Sequence, residues 1–120
     1  MLFRSDDAVK MREATAILQK KHPEMIVEGE MQAHLAFDNE LIKENYPFSK
    51  LAEEGANTLI FPNLSAANIA YNLLKETSDI EYIGPILLGL RKPVHVLQLG
   101  SSVREIVNMV AIAVVEAKGK

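Results

Sequence analysis

The pattern of apolar and polar positions predicts a helix near the start of the chain. Apolar residues recur at helical spacing across residues 5–21. Ser5 or Asp6 can act as the N-cap, and His22-Pro23 stops the pattern. We therefore expect a helix over residues 5–21.

Four short apolar runs have the composition of β-strands. Residues 56–62 are rich in β-branched and aromatic side chains and are too few for a helix, which favours a buried parallel strand. A helix should follow, beginning near residues 63–65 with Asn63 as its cap and running to about Glu76. Residues 32–44 are polar enough for a surface helix or an irregular crossing. The other predicted strands are residues 25–31, 83–90 and 93–98. Strands that alternate with helices at this spacing predict an α/β layered fold with a largely parallel sheet.

The last predicted helix is apolar nearly all the way round. Ser102 and Glu105 have the spacing of a capping box, in which each side chain bonds the backbone N–H of the other residue. From Ile106 to Val115 the only polar residue is Asn108. Such a helix needs protein on most of its sides, which favours a neighbouring domain or subunit. The alternative is a central core helix of a small domain.

Composition restricts the class of protein. The chain has 120 residues, of which 48% are hydrophobic, so it forms one domain or a piece of a larger one. The net charge of −3 argues against a nucleic-acid partner. No cysteine is present, which excludes a disulfide or a thiolate metal site. Since no apolar run approaches the roughly 20 residues of a membrane span, and no signal peptide pattern occurs, we expect a soluble cytoplasmic protein without a membrane partner.

The Gly100-Ser101-Ser102 turn is the strongest candidate for a binding site. Backbone N–H groups at a helix N-terminus attract anions, and the two hydroxyls add donors. Gln98 and Leu99, which precede the turn, supply no charge for phosphoryl chemistry. The alternative is a purely structural turn in which Ser102 only caps the helix.

Other polar residues have weaker patterns. The three histidines, His22, His34 and His95, lack the spacing of metal ligands, and His95 has the sequence context of a hydrogen-bonded structural residue. Glu28 and Glu30 could form a carboxylate pair, but we expect them to be surface acids. We assign no metal ligand and no catalytic residue.

Four segments together carry a resemblance that extends over essentially the whole chain. They are VEGEMQ, NTLIFPNLSAANIAYNLL, IGPILLGLRKPVHVL and SSVREIVNMVAIAVV, in this order. They closely resemble the C-terminal portion of the phosphate acetyltransferase (phosphotransacetylase) family. The resemblance implies a three-layer α/β/α fold of the isocitrate and isopropylmalate dehydrogenase type. It also implies that residues 1–120 are the C-terminal part of such a domain, with about 1–90 in its second subdomain and about 91–120 returning to the first.

The departures from that family bear on activity. Active members have a stretch like N-D-L-S-R-G-C-S where this chain has residues 95–102, so the Ser-Arg pair that serves thiolate activation and phosphate binding becomes Gln98 and Leu99. A second family arginine corresponds to Glu76, and an acid on the last helix is kept as Glu105. Because two cations are replaced, the resemblance implies loss of acetyl transfer.

Degenerate domains of this kind resemble the C-terminal module of the multidomain NADP-dependent malic enzymes of bacteria. That resemblance implies a non-catalytic regulatory and oligomerisation module, with acetyl-CoA as effector and a homo-oligomer of dimer size or larger. The ligand-binding residues would be Gln98, Leu99, Gly100, Ser101 and Ser102. NADP and a divalent metal would belong to the oxidoreductase portion of the parent enzyme. The alternatives are an active phosphate acetyltransferase that uses other residues and a purely structural dimerisation fragment.

Overall fold

The computed structural model describes residues 5–119, and its regular elements are all helical. They are α1 (Asp6–Lys21), a 3₁₀-helix (Ala33–Phe37), α2 (Asn39–Asn45), α3 (Leu51–Glu54), α4 (Leu64–Thr77) and α5 (Val103–Lys118). The chain forms two compact units that divide between Asn72 and Leu73. The boundary predicted near residue 90 separates the two subdomains of a whole phosphotransacetylase-like domain, and it stays a prediction.

Helix α1 has the boundaries that its sequence predicts. The Ser5 side chain accepts a hydrogen bond from the Ala8 N–H at 3.3 Å, which identifies Ser5 as the N-cap. Acidic residues occupy the first turn and lysines the last, and both placements oppose the charges of the helix dipole. The helix ends at Lys21, and His22 closes it with a backbone bond to the Leu18 carbonyl.

The four segments predicted as strands are irregular in the described part of the chain, residues 5–119. A β-strand requires backbone hydrogen bonds to a neighbouring strand, and these segments do not pair with one another. The α/β class and its three-layer arrangement therefore stay predictions. Residues 32–44, for which a surface helix or an irregular crossing was open, contain the 3₁₀-helix and most of α2.

The apolar core of the first unit lies around α2. Helix α2 packs against both the 3₁₀-helix and α3, and Ile42 is fully buried at this junction. Ala36 and Ala52, from those two neighbours, are also buried. Asp38 caps α2, because its carboxylate accepts from the Glu40 and Leu41 N–H groups at 3.1 Å. This junction fixes the segment that carries Tyr46 at the end of α2.

Helix α5 lies in the second unit and is largely exposed. Met109 is its one buried residue. Val103, Val107, Val110 and Val114 are spaced by four, three and four residues, so they form one stripe, with exposures of 78%, 59%, 58% and 47%. The alternative of a central core helix is therefore wrong for this chain. Each helix within residues 5–119 is too short or too polar to span a lipid bilayer.

Candidate functional site

The turn predicted at Gly100 is present and is closed by its own hydrogen bonds. The Ser101 N–H donates to the Gln98 carbonyl at 3.2 Å, and the Ser101 hydroxyl donates to the same oxygen at 2.9 Å. Gly100 has a φ of +90°, a backbone conformation that residues other than glycine rarely adopt. Leu99 at the tip is completely exposed. Both donors of Ser101 thus point into the turn.

The N-terminus of α5 carries the predicted capping box. The Ser102 N–H donates to Glu105 Oε2 at 2.6 Å, and the Glu105 N–H donates to Ser102 Oγ at 3.2 Å. The bond from the Ser102 backbone, followed by the bond from its side chain, lowers the pKa of the Glu105 carboxyl. Glu105 is therefore itself the anion at this helix end, held by donors that an external anion would use.

A groove of about 410 Å³ lies beside this cap, within the second unit. Residues 79–82 form one side, and Ser102, Arg104, Glu105 and Asn108 form the other. Arg104 is paired with Glu81, with 2.6 Å between guanidinium and carboxylate. The cation that faces the groove is thereby engaged by an acid of the opposite side.

A second cation lies at the edge of the groove that Tyr82 forms. The Lys75 ammonium lies 4.4 Å from the centre of the Tyr82 ring, within the range of a cation–π contact. Lys75 also contributes to the lowered pKa of Glu105, after the two bonds from Ser102. Lys75, near the end of α4, therefore interacts with Tyr82 on one side of the groove and with Glu105 on the other.

His95 has the structural role that its sequence context predicts. Its side chain is only 4% exposed, and Nε2 lies 3.1 Å from Glu116 Oε2 near the end of α5. Its Nδ1 is buried and has no partner among the described residues. Because a carboxylate only accepts hydrogen bonds, Nε2 of His95 is the donor in this contact.

The expectation that Glu28 and Glu30 are surface acids is wrong for Glu30. The Glu30 side chain is only 12% exposed, and its Oε1 lies 2.6 Å from the Arg12 guanidinium. The Tyr46 hydroxyl donates to the Glu30 carbonyl at 2.6 Å. Gln19 on α1 donates to the Val27 carbonyl at 3.0 Å. Side chains of α1 therefore hold this segment against the helix, a long-range arrangement that local spacing does not encode.

The start of α4 is capped by Asn63, as predicted. Asn63 Oδ1 accepts from the Ala66 N–H at 2.9 Å, and its Nδ2 donates to Asp7 at 2.9 Å. Lys10 completes the cluster by bonding both Asp7, at 2.8 Å, and the Pro62 carbonyl, at 3.0 Å. The polar groups of this cluster bond one another and connect α1 to the start of α4, which indicates a structural role.

The sequence pattern of phosphate acetyl/butaryl transferases matches residues 3–114. The chain belongs to this family. It is 43% identical to an NADP-dependent malic enzyme of Haemophilus influenzae over 119 residues, which are 97% of this chain and 16% of that protein. It is 46% identical to an NADP-dependent malic enzyme of Escherichia coli over 110 residues, 91% of this chain and 14% of that protein. It is also 39% identical to a phosphate acetyltransferase of Clostridium acetobutylicum over 109 residues, 91% of this chain and 32% of that protein.

Within this phosphate acetyl/butaryl transferase domain, the structure brings one of the five predicted ligand residues to the groove. Ser102 lines it, whereas residues 98–101 form the adjacent turn. Asp79 and Asn108 are groove residues that the sequence analysis did not assign. Asn108 had a usable signal, because it is the lone polar residue in an apolar stretch of α5. Asp79 lies in an irregular segment and had none.

Proposed function

We propose that this chain is a non-catalytic regulatory and oligomerisation module of a malic enzyme and that it senses acetyl-CoA. The similarity to malic enzymes and to phosphate acetyltransferases supports this assignment, although the chain spans only 14–16% of those malic enzymes. NADP and a divalent metal would act in the rest of the parent enzyme, with malate as the substrate.

The observation that carries the proposal is the neutral turn in front of α5. The residues that correspond to a Ser-Arg pair in active members are Gln98 and Leu99, so no guanidinium holds a phosphate there. The Ser101 donors bond within the turn, and Glu105 occupies the Ser102 N–H. An acyl phosphate would meet a carboxylate at the place where transfer needs fixed positive charge.

A binding role can persist without the reactive centre. Binding needs shape and a few hydrogen bonds, whereas transfer also needs groups that stabilise charge as it develops on the moving oxygens. Glu76 is a second position at which a cation is lost. It is exposed on α4, and the family resemblance implies an arginine there. With Leu99 and Glu76 in place of two arginines, the cations for transfer are lost, while the backbone around them can still bind a ligand.

The oligomerisation role is supported by the exposed valine stripe of α5, Val103, Val107, Val110 and Val114. Contiguous apolar surface of this kind is uncommon on monomeric proteins and marks association sites. The stripe supports the structural alternative equally well, in which the chain associates but binds no small molecule. Light scattering of the chain, with Val107→Glu and Val110→Glu, tests association: we expect assembly that both variants weaken. A clean monomer with a cooperative melt would contradict the role.

Calorimetric titration of the intact malic enzyme with acetyl-CoA tests the sensing role. The dehydrogenase nucleotide site is first saturated with NADP, so that heat from that site is absent. We expect binding that weakens in Gly100→Trp and Ser101→Trp, because the first strains a backbone with a φ of +90° and the second removes the hydroxyl that closes the turn. Unchanged affinity in both variants would remove the turn from the site. Absence of binding by the unmodified enzyme would overturn the sensing role.

A further inference from the structure

We propose that two exposed surfaces of the chain bind each other between copies, in a head-to-tail contact. One surface is the Phe48 loop (residues 46–50), which joins α2 to α3 in the first unit. The other is the Arg91 segment (residues 86–97), which precedes α5 in the second unit. This contact goes beyond the proposed function, because it requires neither the valine stripe nor a small molecule.

The Phe48 loop holds an exposed aromatic residue on a fixed backbone. The Phe48 side chain is completely exposed. The Ser49 N–H donates to the Tyr46 carbonyl at 2.9 Å, and the Leu51 N–H donates to the Ser49 hydroxyl oxygen at 3.1 Å. Tyr46 is itself anchored, because its hydroxyl donates to the Glu30 carbonyl at 2.6 Å. An aromatic residue on a rigid backbone loses little conformational entropy when a partner covers it, so Phe48 has the properties of an interface anchor.

Free carboxylates flank the Phe48 loop on both sides. Glu44 precedes the loop, and Glu53 and Glu54 follow it on α3. All three are exposed, and their carboxylates have no hydrogen-bond or ion-pair partner within residues 5–119. Lys50 is the cation that lies among them in the sequence, so residues 44–54 carry three acids and one base. A partner for this surface must combine apolar area with positive charge.

Phe37 is also strongly exposed, but the acids that follow it are engaged. The Asp38 carboxylate caps α2 by accepting from the Glu40 N–H. The Glu40 carboxylate lies 3.2 Å from the Lys43 ammonium. Unpaired negative charge therefore distinguishes the surroundings of Phe48 from those of Phe37.

The Arg91 segment has the complementary properties. Arg91 and Lys92 lie in its middle, are exposed, and have no side-chain partner in the described part of the chain. No acidic residue occurs between Glu81 and Glu105. Its exposed apolar side chains are Leu87, Leu88, Leu90, Val94 and Val96. Clustered exposed apolar residues of this kind mark association sites.

Charge favours a contact between unlike surfaces of two copies. Two Phe48 loops would place carboxylates against carboxylates, and two Arg91 segments would place cations against cations. A Phe48 loop on the Arg91 segment of a second copy pairs opposite charges, while the apolar side chains supply area that is removed from water. Since every copy carries both surfaces, the contact is heterologous. It differs from a symmetric pairing of valine stripes, in which the same residues of both copies meet.

Association of variant chains tests the contact. Sedimentation velocity would use the chain with Val107→Glu and Val110→Glu as its background, so that association through the valine stripe is weakened. We expect this background to associate, and to associate less as the salt concentration rises. Phe48→Ser and Arg91→Glu, each added to the background, should raise the dissociation constant by about tenfold or more. Phe37→Ser is the matched control and should have little effect. All of these positions are exposed, and circular dichroism checks that each variant is folded.

A mixture of two variants tests the head-to-tail arrangement itself. The Phe48→Ser chain retains its Arg91 segment, and the Arg91→Glu chain retains its Phe48 loop. We expect these two chains, each monomeric alone, to form a one-to-one complex and no larger species. Absence of that complex would overturn the contact.

The remaining outcomes separate this contact from the valine stripe. Equal association of the background, Phe48→Ser and Arg91→Glu would overturn the contact. A folded but monomeric background would also overturn it and would leave the stripe as the oligomerisation surface. Equal association of the background and the unmodified chain, together with the one-to-one complex, would support the contact and overturn the role of the stripe.

Discussion

Ser102 and Glu105 exchange two hydrogen bonds at the start of α5, one from each backbone N–H to the other side chain. This relationship turns the helix end that would attract an anion into one that already holds a carboxylate. The same four-residue segment therefore stabilises α5 and limits the chemistry at the turn.

Ser102→Ala should destabilise the protein by about 1 kcal/mol, because it removes the side-chain acceptor of the Glu105 N–H. Urea unfolding followed by circular dichroism measures this difference. Ser65→Ala is the matched control, since Ser65 is exposed in the first turn of α4 and Asn63 caps that helix. Equal stability of Ser102→Ala and the unmodified protein would show that the capping box does not hold α5 in solution.

The lowered pKa of Glu105 predicts how stability depends on pH. A carboxyl whose pKa is lower in the folded than in the unfolded state contributes stability above its unfolded pKa, and that contribution is lost as pH falls through the folded pKa. The loss therefore lies below the ordinary value of 4.5. Glu105→Gln should remove this part of the acid dependence, measured as unfolding free energy against pH. Glu76→Gln, on an exposed acid, serves as the control, and an equal effect of both substitutions would contradict the assignment.

The contact between His95 and Glu116 should be energetically coupled. Since His95 is 4% exposed and Glu116 is 25% exposed, a double-mutant cycle with alanine should give about 1 kcal/mol of coupling. The exposed pair of His22 and Glu24, at a similar distance of 3.2 Å, should give nearly none because solvent screens it. A coupling energy for His22 and Glu24 that equals or exceeds that of His95 and Glu116 would show that burial does not strengthen the contact.

The hydroxyl of Tyr46 should titrate above its ordinary pKa. Burial is the largest cause, and the nearby carboxylates of Glu28 and Glu30 add to it. A raised pKa in the folded state means that the stability from this group is complete below the ordinary value of 10.0 and is lost as pH rises through the folded pKa. The difference between the ultraviolet titration curves of the unmodified protein and of Tyr46→Phe isolates the titration of this hydroxyl. Glu30→Gln should bring the pKa back toward its ordinary value, and an unchanged pKa in that variant would remove Glu30 as a cause.

Local features of the molecule followed directly from the sequence. Ser5, Asn63 and Ser102 cap their helices as predicted, because capping depends on residues within one turn of each other. His95 was also predicted as a hydrogen-bonded structural residue, and Glu116 is its partner.

Features that depend on distant residues could not be predicted in this way. Glu30 is held by a hydrogen-bonded ion pair with Arg12, which is 18 positions away, and its carbonyl accepts from the hydroxyl of Tyr46, which is 16 positions away. The groove arises where residues 79–82 meet α5, a contact that no periodicity encodes. The short helix α3 was not predicted, since four residues give too little periodic signal.

We propose that the turn before α5 belongs to a receptor for acetyl-CoA that performs no transfer. A single nuclear magnetic resonance experiment tests it, with acetyl-labelled acetyl-CoA and phosphate added to the intact enzyme. We expect broadening of the acetyl signal through binding, with no acetyl phosphate formed above the protein-free background. Steady accumulation of acetyl phosphate and free coenzyme A, lost when Gln98 alone is changed to alanine, would contradict it.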